Sequence, residues 1–195
     1  MRYDIILSGV GGQGVLSLAA IIAMGAMKEG LKVRQSEVHG MAQRGGAVLS
    51  HLRLSAQTIP GDLIGEGKAS MILSMEPLES LRYLSYLSKE GILVASKDPV
   101  RNIPDYPELE DIYGEIRKLS RFTLIGAVSR ARQAGSPRGT NMVMVGAAAA
   151  ELPIKVETLE SAIEELFAVK GKEIVENNIK AFRAGMEAAA GGEAD

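Results

Sequence analysis

Two glycine-rich runs hold the residues whose types and spacing could do chemistry. The first, Gly9-Val10-Gly11-Gly12-Gln13-Gly14, satisfies the spacing G-x-G-x-x-G between a strand-like and a helix-like stretch. Glycine tolerates positive φ and leaves backbone N–H groups uncovered. At a helix N-terminus those groups face an anion in a favourable dipole field. Glu37 follows the next strand-like run, where an acidic side chain would hold a ribose. A stand-alone NAD(P)- or flavin-binding oxidoreductase is therefore one reading. The same glycines would equally serve a sharp turn and close helix–strand packing.

The second run, Gln43-Arg44-Gly45-Gly46, sets a fixed positive charge beside two permissive backbone positions. A guanidinium clamps a carboxylate or phosphate in bidentate fashion, with glycine N–H groups assisting. In a doubly wound sheet this run follows the carboxyl end of the second strand, on the rim that also carries the first loop, and ligand crevices collect there. Gly11, Gly12, Gln13 and Gly14 with Arg44, Gly45 and Gly46 are the expected contacts, and Arg44 is the expected anion binder. His39 reads as a hydrogen-bonded loop residue, and no catalytic pair stands out. Thr140-Asn141 reads first as a helix N-cap, with a rim-facing Asn141 as second choice.

Composition narrows the remaining classes. The 195 residues carry 22 basic and 24 acidic side chains, a formal charge of −2, and a nucleic-acid surface needs clustered Lys and Arg instead. Cysteine is absent, which removes disulfides, thiolate nucleophiles, zinc thiolates and cysteine-ligated iron–sulfur clusters. Two histidines do not make a multi-histidine metal site. The apolar stretches around Leu16–Met27 and Val143–Ala150 are shorter than the ~20 residues of a membrane span. The expectation is a cytoplasmic protein with no membrane or nucleic-acid partner.

The elements that must position the two loops follow from periodicity. Tyr3–Ser8 reads as a buried strand, Val15–Glu29 as a helix closed by Gly30, and Leu31–Ser36 as a second strand, making a βαβ unit. Further strands are expected at Ala47–Leu54, Met71–Leu73, Ile92–Ala95 and Phe122–Ile125. Pro77 opens a helix running to about Ser88, and helices are expected at Leu109–Leu119 and Met142–Ala150. Beyond Pro153, apolar residues recur at helical spacing in two amphipathic helices joined at Gly171. No repeat or linker divides the chain, so residues 1–195 read as a single domain. Strands alternating with helices imply a three-layer α/β/α, Rossmann-like fold with a mostly parallel sheet covered on both faces.

The paired loops, Gly9–Gly14 and Glu37-Val38-His39-Gly40-Met41-Ala42-Gln43-Arg44-Gly45-Gly46, resemble the gamma-type component of the 2-oxoacid:ferredoxin oxidoreductases. The His39–Gly46 run is most similar to the beta subunit of the indolepyruvate branch. Pro137, Asn141–Ala147 and Asn178–Gly185 agree, so the resemblance covers nearly the whole chain. It implies a subunit of an enzyme that oxidatively decarboxylates a 2-oxoacid with coenzyme A, giving an acyl-CoA, carbon dioxide and reduced ferredoxin. It also implies that thiamine diphosphate, magnesium and iron–sulfur clusters sit on a larger partner subunit. The two glycine loops would line the interface with that subunit. Related chains often carry Asn after the strand corresponding to Ile92–Ala95, and here Ser96 stands there.

Overall fold

The computed structural model describes residues 1–39 and 45–191. Strand β1 (Arg2–Val10) is buried from Asp4 onward, as a central strand between two packed faces must be. Helix α1 (Val15–Lys28) is built from Leu, Ala, Ile and Met and ends at Gly30, φ 77°. There Gly30 N–H donates to the Met27 carbonyl and Leu31 N–H to the Ala26 carbonyl. Then come β2 (Lys32–His39), β3 (Ala47–Ser55), β4 (Ala69–Ser74), α2 (Pro77–Arg82), β5 (Leu87–Ser96), α3 (Leu109–Ile116), β6 (Phe122–Ile125), α4 (Ala127–Gln133), α5 (Thr140–Ala148), α6 (Val156–Phe167) and α7 (Lys172–Ala190).

Among the described residues the strands form one sheet in the order β2-β3-β1-β4-β5-β6. The β1·β4, β4·β5 and β5·β6 pairs are parallel, as the alternating pattern implies. The β1·β3 and β2·β3 pairs are antiparallel. The opening βαβ unit is therefore split: β3 folds back from β2 and inserts between β2 and β1, so those two parallel strands are not neighbours. Polar residues interrupt β3 at Ser50, His51, Arg53 and Ser55, unlike the apolar run Ile92–Ala95 of β5, but that pattern does not say between which strands β3 inserts.

Two further expectations change. Helix α2 stops at Arg82, and after a 3₁₀ turn at Leu84–Tyr86 the chain is already in β5, with Leu87 paired to Ala69. Long-range pairing overrides local helix propensity there. Helix α4 is an element the periodicity did not reveal.

Ile5, Leu7, Met71, Leu73, Ile92 and Val94 meet α1, α5, α6 and α7 on one face, and Ile6, Ile72 and Leu93 meet α3 on the other. This gives three unequal layers. Helices α5 and α7 cross at closest approach through Gly146 and Gly185. A Cβ on Gly146 would lie 1.9 Å from the Phe182 carbonyl oxygen, and one on Gly185 1.9 Å from that of Val143. Gly171, φ 97°, turns the chain into α7 as expected.

Candidate functional site

The first glycine loop leaves the carboxyl end of β1, and its glycines answer to separate constraints. Gly12 and Gly14 take φ values of 103° and 84°, where a side chain is strained. A Cβ on Gly9 would sit 2.9 Å from Gln13 Oε1 and 3.0 Å from Met75 Cβ. Gln13 is the brace: its Oε1 accepts from Val10 N–H at 2.7 Å, and its Nε2 donates to the Met75 carbonyl at 2.9 Å. The carboxamide thus ties the end of β1 to the end of β4.

That tie lies at the topological switch point. After β1 the chain moves toward β2, and after β4 it moves toward β6, so the crevice that usually receives a dinucleotide opens between β1 and β4. Here Gln13 spans it. Glu37 is displaced as well, since β3 separates β2 from β1 by two strand spacings, about 9–10 Å. Its carboxylate accepts from Gln35 Nε2 instead. Both features behind the NAD(P) or flavin reading are therefore otherwise engaged in this fold.

The second loop lies against the first. Gly11 N–H donates to the Gly46 carbonyl at 2.8 Å and Gly45 N–H to the Gly11 carbonyl at 3.3 Å, extending the β1·β3 ladder beyond Val10↔Ala47. The expectation of two loops on one rim holds. The expectation of uniformly bare amides does not, because Gly11, Gly45 and also Gln13 (to the Val10 carbonyl, 3.1 Å) spend theirs within the loops. Gly12 is exposed with open space before it. Arg44, the expected anion binder, lies outside the described residues, as does Gln43.

A segment from Ser96 to Tyr106 crosses this rim and braces it through residues that the sequence did not single out. Asn102 Nδ2 donates to the Gly45 carbonyl at 2.8 Å. Buried Glu76 accepts from the Tyr106 hydroxyl, from Val100 N–H at 3.3 Å and from Glu79 N–H at 2.7 Å. Burial, and then the bond to Glu76, push the Tyr106 phenol well above its ordinary pKa. Ser96 Oγ donates to Asp98, whose carboxylate also accepts from Val128 N–H at the start of α4. Serine at this position is thus a support for the α4 entry. One signal for Glu76 was present: an acidic residue directly before Pro77 is a helix N-cap pattern. Asn102 had no local signal.

The N-cap reading of Thr140-Asn141 is corrected. Gly139 holds the cap position without a side-chain bond, and both residues lie in the first turn of α5. The second choice is closer, since a Cβ on Gly14 would meet Asn141 Nδ2 at 3.0 Å. Asn141 therefore packs directly against the first loop.

Residues 4–188 match the family model described as pyruvate ferredoxin/flavodoxin oxidoreductase. The chain is 39% identical over 201 residues to "Indolepyruvate oxidoreductase subunit IorB" of Archaeoglobus fulgidus, covering 98% of each. A keto/oxoacid ferredoxin oxidoreductase gamma subunit from Geobacter sulfurreducens superposes with a TM-score of 0.71 at 26% identity, over 97% of this chain and 99% of that one. A chain of the 2-oxoglutarate:ferredoxin oxidoreductase of Magnetococcus marinus, solved with 2-oxoglutarate, coenzyme A and succinyl-CoA bound, superposes with a TM-score of 0.78 at 21% identity. It shares the fold over 100% of this chain, which spans 32% of that longer one.

Proposed function

The chain belongs to the pyruvate ferredoxin/flavodoxin oxidoreductase family, and on that premise we propose that it is a subunit of a 2-oxoacid:ferredoxin oxidoreductase acting on indolepyruvate or another aryl-pyruvate. The complex decarboxylates the 2-oxoacid, joins the acyl group to coenzyme A and passes the electrons to ferredoxin. The similarity to an indolepyruvate oxidoreductase subunit over 98% of both chains supports the substrate class. The whole chain, residues 1–195, acts as one domain in the cytoplasm. Among the described residues no helix is long and apolar enough to cross a membrane.

Thiamine diphosphate, magnesium and the iron–sulfur clusters belong in this reading to a larger partner subunit. This chain has no cysteine to ligate a cluster, and its described residues hold no group of three His, Cys, Asp or Glu placed to bind a metal. Cofactors carry the hard chemistry, and the protein around them supplies position and electrostatics. The part left to this chain is to present a shaped rim. Gly11, Gly12, Gln13 and Gly14 with Arg44, Gly45 and Gly46 meet the partner, and Arg44 holds an anionic group of the 2-oxoacid or coenzyme A.

One observation carries the proposal: two glycine loops hydrogen-bonded to each other on one rim, with Gln13 closing the nucleotide crevice beside them. Co-expression with the larger subunit should give indolepyruvate- and coenzyme A-dependent reduction of ferredoxin that the purified chain lacks. Turnover by the chain alone would reject the subunit reading. In the assembled complex, Arg44→Ala should reduce turnover without loss of assembly, and unchanged turnover would leave the loops a docking role only.

A further inference from the structure

Two adjacent residues at the end of β4, Met75 and Glu76, are each only 1% exposed and tie the sheet to different segments. The Met75 carbonyl accepts from Gln13 Nε2 and so holds the first glycine loop. The Glu76 carboxylate turns instead to the stretch 97–106 between β5 and α3, which has no helix or strand and is exposed from Arg101 to Asp105. Its Oε1 accepts from the Tyr106 hydroxyl and from Val100 N–H at 3.3 Å, and its Oε2 from Glu79 N–H at 2.7 Å. No cation pairs with it among the described residues.

A buried carboxylate is costly unless its oxygens are hydrogen-bonded. Here the donors come from α2 and from the 97–106 stretch, so satisfying the group fixes that stretch against the end of β4. A carboxylate only accepts, and an amide in its place would turn an NH₂ group toward at least one donor. The stretch carries the position onward. Asn102 N–H closes on the Val100 carbonyl at 2.8 Å, and Arg101 lies over the Tyr106 ring at 5.7 Å. Asn102 Nδ2 then donates to the Gly45 carbonyl at 2.8 Å. Gly45 N–H donates to the Gly11 carbonyl at 3.3 Å and Gly11 N–H to the Gly46 carbonyl at 2.8 Å.

We propose that Glu76 is a positioning residue for the rim. Through Val100, Tyr106 and Asn102 it sets where Gly45 and Gly46 lie against Gly11. Met75 beside it sets the first loop through Gln13, so one dipeptide of the sheet holds both glycine loops in mutual register. This role deepens the proposed function and rests on it only for the effect on substrate, since the hydrogen-bonded path belongs to the chain alone. A rim that binds an anionic substrate group alike before and during reaction lowers KM, so misplacing it raises KM more than it lowers kcat.

The test has two arms. In the first, NMR amide exchange is read on the full chain alone. Glu76→Gln should speed exchange at Val100, Gly45 and Gly11 by about tenfold. Asn102→Ala, a change at an exposed site, should speed Gly45 and Gly11 while Val100 stays protected. Tyr106→Phe keeps the ring but removes one donor, and it takes the place of Glu76→Gln if that variant does not fold. In the second arm, each variant is assembled with the larger subunit. Glu76→Gln and Asn102→Ala should each raise KM for coenzyme A or indolepyruvate about fivefold with kcat nearly unchanged, and the double variant should lose less than the two combined because they act on one path. Ile163→Val loosens the core on the other face of the sheet and should leave both constants as in the parent. Parent-like exchange at Gly45 and Gly11 in the folded variants, or an active complex whose KM values do not move, overturns the proposal. A complex without turnover would remove the subunit reading and leave the exchange arm to decide the role of Glu76.

Discussion

Replacing Gln13 tests the geometry on which the rim depends. Its carboxamide bonds Val10 N–H and the Met75 carbonyl, and both of those residues are almost wholly buried, at 2% and 1% exposure. In Gln13→Ala both backbone groups lose a partner. Each such loss costs about 1–3 kcal/mol when the group stays dry. Gln13 is itself half-buried, so water entering its space returns part of that. The net loss is about 2 kcal/mol, or roughly 4–8 °C in Tm for a chain of this length.

Gln13→Glu is the sharper variant, because it keeps the shape and the acceptor for Val10 but turns an oxygen toward the Met75 carbonyl. It should destabilise at least as much as alanine at neutral pH and partly recover when the carboxyl is protonated. Urea unfolding followed by far-UV circular dichroism, with an unchanged m-value, measures both. A loss below about 0.5 kcal/mol for alanine, or a glutamate variant as stable as the parent, would refute the account of Gln13 as the brace between β1 and β4.

The α5–α7 crossing and the sheet face beneath the 56–64 segment give two further expectations. Gly146→Ala places a methyl where the Phe182 carbonyl oxygen is only 1.9 Å away, so the helices must part. A loss of about 1–3 kcal/mol or more in denaturant titration is expected, and a neutral substitution would show the crossing to be looser. His51 Nδ1 accepts from Ile64 N–H at 3.1 Å, so the imidazole must be neutral there. Burial first, and then the Arg53 charge, lower its pKa. The unfolded chain then binds the extra proton first. The His51 contribution is present above its ordinary pKa of about 6.5 and is lost as pH falls below that toward the lowered native value. Stability of the parent should therefore drop more than that of His51→Asn between about pH 6.5 and 5, and parallel curves would contradict this.

Much of the architecture near the loops follows from local chemistry. The β1–glycine–α1 opening, the closure of α1 at Gly30 and the turn at Gly171 each rest on a short run whose residue types admit few conformations. The extent of β5 does not, because residues 87–91 are drawn into the sheet by a partner 18 residues earlier, Ala69↔Leu87. The site divides in the same way. Glycines at 11, 12, 14, 45 and 46 stand out in the sequence, while Asn102, 57 residues from the Gly45 carbonyl it binds, is an ordinary loop residue until the chain is folded.

The amino-acid order by itself determined that the chain makes an α/β layer structure with two permissive loops, and that it has no thiol with which to hold a cluster. Those properties live in residue type and in periods of two and 3.6, which need no distant partner. Tertiary structure alone decided that β3 enters between β1 and β2, that Gly11 and Gly46 are laced together, and that Gln13 occupies the switch-point crevice. Strand order and the burial of a polar side chain depend on which far-apart segments pair. That choice is made by the free energy of the whole fold and leaves little trace in any local run of residues.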